Sequence, residues 1–141
     1  IMDLWGWLRK RVFGGKGLDY GLVGRWIAHM PHGRFRHDNI AAAPKKRGER
    51  LIGWSAHYGI GIAGLLIGLG GAEWAARPTL GPALAVGIGT VAAPFFLMQP
   101  GMGAGIAASR TPRPNAARLQ SLLTHAVFGL GLYIAAWATS L

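Results

Sequence analysis

Three long stretches of the chain are almost wholly apolar, and shorter polar segments separate them. Residues 51–70, 82–105 and 119–141 contain no Asp, Glu, Lys or Arg. A helix of about 20 residues is about 30 Å long, which matches the hydrocarbon thickness of a bilayer. The pattern therefore predicts three transmembrane helices.

Two shorter segments carry a weaker apolar pattern. Residues 1–8 are apolar apart from Asp3, and we interpret them as the tail of a first transmembrane helix that begins before Ile1. In residues 18–30, Leu22, Trp26 and Met30 recur at helical spacing, which is typical of a short helix lying in the headgroup region. The predicted fold is an all-α, polytopic transmembrane helix bundle forming a single integral membrane domain.

The predicted transmembrane helix over residues 82–105 contains two prolines. Pro94 and Pro100 lack a backbone N–H, so they remove hydrogen bonds from the helix and predict a kink. The following run, MQPGMGAGIAAS, is rich in glycine, and we expect it to allow a tight or partly unwound helix end. Interrupted helices often line sites at membrane depth.

The charges are segregated from the apolar stretches. The chain has 15 Lys and Arg against 5 Asp and Glu, a formal net charge of +10. Eleven of the basic residues lie between Arg9 and Arg50 and three lie in residues 106–118, whereas Arg77 alone lies in the turn after the first full span. The positive-inside rule places the fourteen in the cytoplasm and the C-terminus outside it. Such segregation indicates a membrane protein rather than one that binds nucleic acid.

Catalytic signatures are absent from the sequence. There is no cysteine, and none of the five carboxylates lies in the middle of a predicted span. The sequence also contains no phosphate-binding loop, no HExxH zinc motif and no serine nucleophile elbow. We therefore expect a protein that is not an enzyme.

Two histidines lie inside the predicted spans, where a polar residue is costly and often functional. His57 and His125 lie at similar depth in their predicted helices. Two methionines of the interrupted helix, Met98 and Met102, lie at about the same depth. These four residues could ligate a soft metal such as copper(I), and paired histidines could also hold a haem. His57 shares a small-residue helix face with Gly61, Gly64 and Gly68, which predicts that this face packs against another helix. The structural alternative is therefore that the histidines hydrogen-bond across helices while the methionines fill gaps.

The basic residues offer a second kind of site, for anions or anionic lipid headgroups. Arg25 belongs to this basic face, and His29, His32 and His37 lie within the same loop, residues 9–50. For these histidines a solvated loop is favoured over a metal site, because Pro31 interrupts their spacing and Asp38 is the one carboxylate near. The candidates for headgroup or anion contact are Arg34, Arg36, Lys45, Lys46, Arg47, Arg50, Arg110 and Arg113.

Three segments resemble a known family: DYGLVGRWIAHMPHGRFRHDNIAAAPKKRGER, APFFLMQPGMGAGIAASRTPRPNAARL and THAVFGLGLY. Together they resemble the bacterial inner-membrane proteins called the domain of unknown function 2938 family. The resemblance covers nearly the whole chain. It implies four membrane helices, most of the first preceding Ile1, and a multi-pass protein of the bacterial inner membrane. It implies no activity, substrate or cofactor.

Two functions are consistent with these observations. The leading one is a non-enzymatic, transporter-like or accessory membrane component, and the alternative is a metal- or haem-binding subunit of a larger redox complex. The expected partners are the lipid bilayer and its anionic headgroups. A homo-oligomer and membership of a larger membrane complex are both open.

Overall fold

The computed structural model describes residues 1–13 and 19–140, with the side chains of Met2, Asp3, Val12 and Phe13 outside the description. Regular structure within these ranges is helical, without a strand. Parts of three predictions fall outside the described residues: Lys16 in the basic loop, residue 18 at the start of the interfacial helix, and Leu141 at the C-terminus.

Seven α-helices occur in the described ranges. In chain order they are α1 (Met2–Phe13), α2 (Tyr20–His29), α3 (Glu49–Ala63), α4 (Ala72–Ala76), α5 (Leu80–Gly89), α6 (Gln99–Met102) and α7 (Pro114–Thr139). Two π-helical turns, Gly64–Gly68 and Pro94–Met98, follow α3 and precede α6. Short 3₁₀ turns cover Met30–His32, Ile40–Ala42 and Ile106–Ala108.

Three helical stretches are long and apolar enough to cross a membrane: Glu49–Gly68, Leu80–Met102 and Pro114–Thr139. They confirm that the three predicted stretches are helices of spanning length. The last one begins at Pro114 rather than at residue 119. Proline is pre-organised for a first helical turn, and Arg118 in the next turn donates to the Ala107 carbonyl at 2.8 Å. Residues 114–118, which the sequence pattern assigns to a polar segment between two spans, are helical.

The stretch Leu80–Met102 is interrupted, as the prolines predicted. The α-helical pattern stops at a turn over Thr90 and Val91 and resumes through the π-helical turn that starts at Pro94. Pro100 is the second residue of α6, which follows the π-helical turn directly. Gly103, with φ of +97°, then ends the helix.

The structure divides into two compact units. Unit 1 comprises Ile1–Gly17, Ile60–Val91 and Gln120–Leu141, and unit 2 comprises Leu18–Gly59 and Ala92–Leu119. Two of the long helices, α3 and α7, contribute residues to both.

Glycines form the helix contacts of unit 1. A Cβ at Gly87 of α5 would lie 2.5 Å from the Cα of Gly129 on α7, so these two helices touch through their backbones. Gly61 and Gly64 face the ring of Phe128. Together with Gly68, which meets the Val86 side chain, they confirm the predicted small-residue face.

The first helix packs on the last one within unit 1. Trp5 Nε1 donates to Thr124 Oγ1 at 3.2 Å, and Gly131 faces the side chain of Ile1. The N-terminal segment is helical, as predicted. It continues to Phe13, beyond the predicted boundary at residue 8, and so includes the basic residues Arg9, Lys10 and Arg11.

Candidate functional site

Unit 2 is built on the close crossing of α2 and α3. A Cβ at Gly24 would overlap the Glu49 carbonyl, and one at Gly53 would overlap the Tyr20 carbonyl. Asp19 begins α2, because its Oδ1 accepts from the Gly21 N–H at 2.8 Å. The crossing places Arg25, the residue after Gly24, beside Glu49, the first residue of α3.

Arg25 and Glu49 form a two-pronged ion pair. The Arg25 Nε donates to one Glu49 oxygen at 2.8 Å and its Nη2 to the other at 2.9 Å. Arg25 is only 5% exposed. The hydrogen bond that Arg25 donates to Glu49 raises the pKa of Arg25, although burial acts in the opposite direction. Arg25, which the sequence grouped with the basic surface, is therefore buried and paired.

The same guanidinium holds the segment that follows α2. Its Nη1 lies 3.4, 3.2 and 3.2 Å from the carbonyl oxygens of Ile40, Ala41 and Ala43. Glu49 also accepts from the Lys46 backbone N–H at 3.1 Å. Both charges therefore tie residues 40–46 to the start of α3, and the loop has one defined path.

Two histidine rings meet at the end of α2. His29 is 3% exposed, and its Nδ1 lies 2.8 Å from the Arg25 carbonyl oxygen. Because a carbonyl can only accept, Nδ1 carries the hydrogen of this bond. The ring of His37 lies edge-on to that of His29, with 5.0 Å between centroids. Burial, then the charges of His29 and Arg34, lower the pKa of His37.

The loop and the helix end enclose two adjoining grooves, which share Arg34 and Pro44. The smaller has a volume of about 330 Å³ and the larger about 480 Å³. The smaller groove is lined by His29, His32, Arg34, Pro44 and Lys46. The larger groove is lined by Arg34, Arg36, His37, Asp38, Asn39, Ala42, Ala43 and Pro44.

The grooves differ in their charge. No carboxylate lines the smaller one, whereas Asp38 lies beside Arg36 in the larger one. Among the described side chains, the one ion pair is Arg25 with Glu49, so neither Arg34 nor Lys46 is neutralised by a carboxylate there. The smaller groove is therefore the more favourable place for an anion. The other predicted anion contacts line neither groove: Lys45, Arg47, Arg50, Arg110 and Arg113.

The glycines at the end of α6 and directly after it support the loop within unit 2. The His37 N–H donates to the Gly101 carbonyl at 2.8 Å, and Gly101 leaves room for the indole of Trp26. That indole donates to the Phe35 carbonyl at 2.8 Å. Gly103 touches the Asp38 carbonyl. The glycines that predicted a tight helix end also allow this close approach.

The two histidines of the predicted spans, His57 and His125, have different surroundings. In unit 2, His57 Nε2 lies 3.5 Å from the Tyr20 hydroxyl, and the two rings are 4.5 Å apart. In unit 1, His125 Nδ1 lies 2.9 Å from Thr90 Oγ1. The Thr90 hydroxyl donates to the Gly87 carbonyl at 2.6 Å, so the imidazole supplies the hydrogen for the contact with Thr90. This confirms the predicted hydrogen bond from His125 to a neighbouring helix.

The metal hypothesis remains a prediction. Met98 and Met102 belong to unit 2 with His57, whereas His125 belongs to unit 1. Within the described part of the chain, no three His, Cys, Asp or Glu residues cluster closely enough to hold a metal ion. This finding concerns those four residue types, so it does not bear on a mixed set of imidazole and thioether ligands.

Comparison with known families agrees with the sequence resemblance. The family model described as "Protein of unknown function (DUF2938)" matches residues 1–139. The chain belongs to this family. No curated protein and no solved structure matched it.

For this DUF2938 chain, sequence reasoning missed the roles of three histidines at the grooves. The sequence predicts a solvated loop for all three, but His29 is buried against Arg25, His32 lines the smaller groove and His37 lines the larger one. One signal was present: Gly21, Arg25 and His29 recur four residues apart, which puts them on one helix face. All three are buried, so this polar face packs inward.

Proposed function

We propose that this chain is an integral membrane protein with a non-enzymatic role, as an accessory or transporter-like component whose basic side faces the cytoplasm. The observation that carries the proposal is the exposure of its apolar helices. Only 6%, 17% and 11% of the most apolar window of each long stretch is buried. Apolar surface on that scale needs a lipid or protein covering.

The charge distribution supports an orientation. Thirteen Lys and Arg belong to the segments before α3 and between α6 and residue 119, Arg50 lies in the first turn of α3, and Arg77 lies between α3 and α5. If the long stretches cross a bilayer, these segments alternate between its two sides. The basic side is then cytoplasmic by the positive-inside rule.

The backbone of the stretch Leu80–Met102 supports the transporter-like version. Its α-helical pattern is interrupted by a turn over Thr90 and Val91 and by the π-helical turn Pro94–Met98. Irregular backbone within a spanning stretch is tolerated where it lies against protein or lines a polar cavity. An accessory role fits equally well, since neither version requires a reacting group.

Membrane integration is tested by extraction. We expect the chain in the membrane fraction to resist alkaline carbonate and to be released by detergent. Release by carbonate, into a compact monomer that stays soluble without detergent, would refute the proposal, because the exposed apolar helices could not then be the lipid-facing surface.

Orientation is tested by labelling single cysteines, which the cysteine-free chain allows without background. We expect Glu73→Cys and Ser140→Cys to react with an impermeant maleimide added to intact cells, whereas Ala42→Cys and Ser109→Cys react only after permeabilisation. These four positions are exposed, and three of the four substitutions leave the charge unchanged. The reverse labelling pattern would invert the proposed orientation.

A further inference from the structure

We propose that the smaller groove of unit 2 binds a phosphate group. The groove combines two unneutralised cations, Arg34 and Lys46, with the ring of His32 and no lining carboxylate. Arginine offers a planar fork that matches phosphate oxygens, lysine a point charge, and histidine a ring N–H. These are the complementary groups for a phosphate carried by a lipid headgroup or present as the free ion.

Hydrogen bonds hold two of the residues that line the groove in position. His29, which forms one wall, is fixed by its bond to the Arg25 carbonyl. Lys46, on another side, is fixed at its backbone by the Glu49 carboxylate. The backbone carbonyl of Arg25 and the carboxylate of Glu49 therefore position two walls of the groove while leaving the cationic ends of Arg34 and Lys46 for a ligand. Pre-organisation of this kind lowers the entropic cost of binding.

The surrounding carboxylates favour an anion in this groove. Glu49 is engaged by both prongs of Arg25, and Asp38 belongs to the lining of the larger groove. A metal cation would meet the charges of Arg34 and Lys46, whereas a phosphate would neutralise them. The remaining exposed cations of the basic segment line neither groove, apart from Arg36 in the larger one, so they provide matched controls.

The groove also adjoins the polar end of a long apolar stretch. Lys46 precedes Glu49, where the stretch Glu49–Gly68 begins, and the two residues are hydrogen-bonded. If that stretch spans a bilayer, the groove lies at headgroup depth. The inference rests on the proposed function only for this source of the phosphate, because the groove itself belongs to unit 2 in either case.

The test uses the full chain purified in a neutral detergent. Binding of inorganic phosphate is measured by titration calorimetry, and retention of phosphatidic acid over phosphatidylcholine is measured by mass spectrometry after reconstitution in nanodiscs containing both. The groove variants are Arg34→Gln and Lys46→Gln. Their controls are Arg47→Gln and Lys45→Gln, which remove the same charges from exposed positions outside both grooves.

We expect each groove variant to weaken binding by about tenfold or more, as for the loss of one charge-assisted hydrogen bond, and each control to retain it. Binding of inorganic phosphate with this pattern supports the proposal with the free ion as a sufficient ligand. Selective retention of phosphatidic acid alone, with the same pattern, supports it with the headgroup as the source.

Two results would overturn the proposal. One is that neither probe binds the unaltered chain, and the other is that the controls lose as much affinity as the groove variants, which indicates diffuse surface attraction. Thermal unfolding of each variant verifies that it is folded. If Lys46→Gln unfolds, the pair Arg34→Gln and Arg47→Gln decides the outcome, since both arginines are exposed. Carbonate extraction is independent of all these results and separates failure of this site from failure of the membrane assignment.

Discussion

Arg25 of α2 donates through two nitrogens to both carboxylate oxygens of Glu49, the first residue of α3. The Arg25 side chain is 6% exposed and the Glu49 side chain 17%. Since Arg25 also contacts three carbonyl oxygens of residues 40–43, this pair joins two helices and the loop between them. Its position gives it more influence on unit 2 than an exposed ion pair has.

Removal of one partner of this pair should destabilise the protein strongly. Glu49→Ala leaves a buried guanidinium without its carboxylate, and we expect a loss of about 3 to 5 kcal/mol in the free energy of unfolding. Denaturant titration in detergent micelles measures the change. Arg50→Met, which removes the neighbouring exposed arginine, is the control and should change the free energy of unfolding by less than about 0.5 kcal/mol.

The planar fork of Arg25 should matter as well as its charge. Arg25→Lys keeps the charge but cannot make both bonds to Glu49, so we expect a loss of unfolding free energy that lies between those of Arg50→Met and Glu49→Ala. Equal stability of Arg25→Lys and the unaltered chain would contradict the proposed role of the two-pronged geometry.

The crossing of α2 and α3 should not tolerate a methyl group at Gly53. The Cβ of Gly53→Ala would overlap the Tyr20 carbonyl, so the helices must separate. Overpacking typically lowers the free energy of unfolding by about 1 to 3 kcal/mol, and we expect a loss at or above the upper end of this range. The matched control is Gly59→Ala on the same helix, where nothing lies within 4 Å of the new Cβ. It should be neutral or stabilise the helix by up to about 1 kcal/mol. Similar unfolding curves for the two variants would show that the two helices are not held this close together.

The hydroxyl of Thr90 should stabilise unit 1 through His125. Thr90→Val removes the partner of His125 Nδ1 at a position where α5 ends, and we expect a loss of about 1 kcal/mol, the scale of polar contacts between membrane helices. Thr139→Val is the control, because Thr139 bonds only carbonyls of its own helix. A double-mutant cycle with His125→Leu measures the coupling of the two side chains. Strict additivity in that cycle is the result that would disprove the contact.

Acidification should loosen the contact between His29 and His37. Burial, then the charges of His29 and Arg34, lower the pKa of His37 below its ordinary value of 6.5. The folded state therefore disfavours protonated His37, so its contribution to stability is complete above pH 6.5 and is lost as the pH falls below that value. Hydrogen exchange at the His37 N–H, which donates to the Gly101 carbonyl, is the local readout. We expect the protection factor of this N–H, its intrinsic exchange rate at each pH divided by the measured rate, to fall below pH 6.5, and His37→Asn should remove most of this dependence. A protection factor in the unaltered chain that stays constant across that range contradicts the prediction.

Much of the fold could be predicted from the sequence, and particular residues show which features could not. The uncharged stretches predicted helices of spanning length, and Pro94 predicted the interruption before α6, because hydropathy and missing backbone donors are local properties. The start of α7 at Pro114 was missed, since the polar residues of 109–118 resembled a loop and the bond from Arg118 to Ala107 is not visible in a local pattern. The candidate site was predicted only in part. Arg34, Arg36 and Lys46 were among the predicted anion contacts, whereas His29 and His32 were not.

The sequence by itself determined that this chain is helical, that three of its helices are long and apolar, and that its positive charges lie away from them. These properties depend on residue type and on short periodicities along the chain. The tertiary structure alone decided which charges are neutralised: Arg25 is paired with Glu49, whereas Arg34 and Lys46 line a groove without a carboxylate. Which charge is neutralised depends on the close approach of α2 to α3 at Gly24 and Gly53. This approach brings together residues that are more than twenty positions apart in the sequence, and a periodic pattern cannot show such contacts.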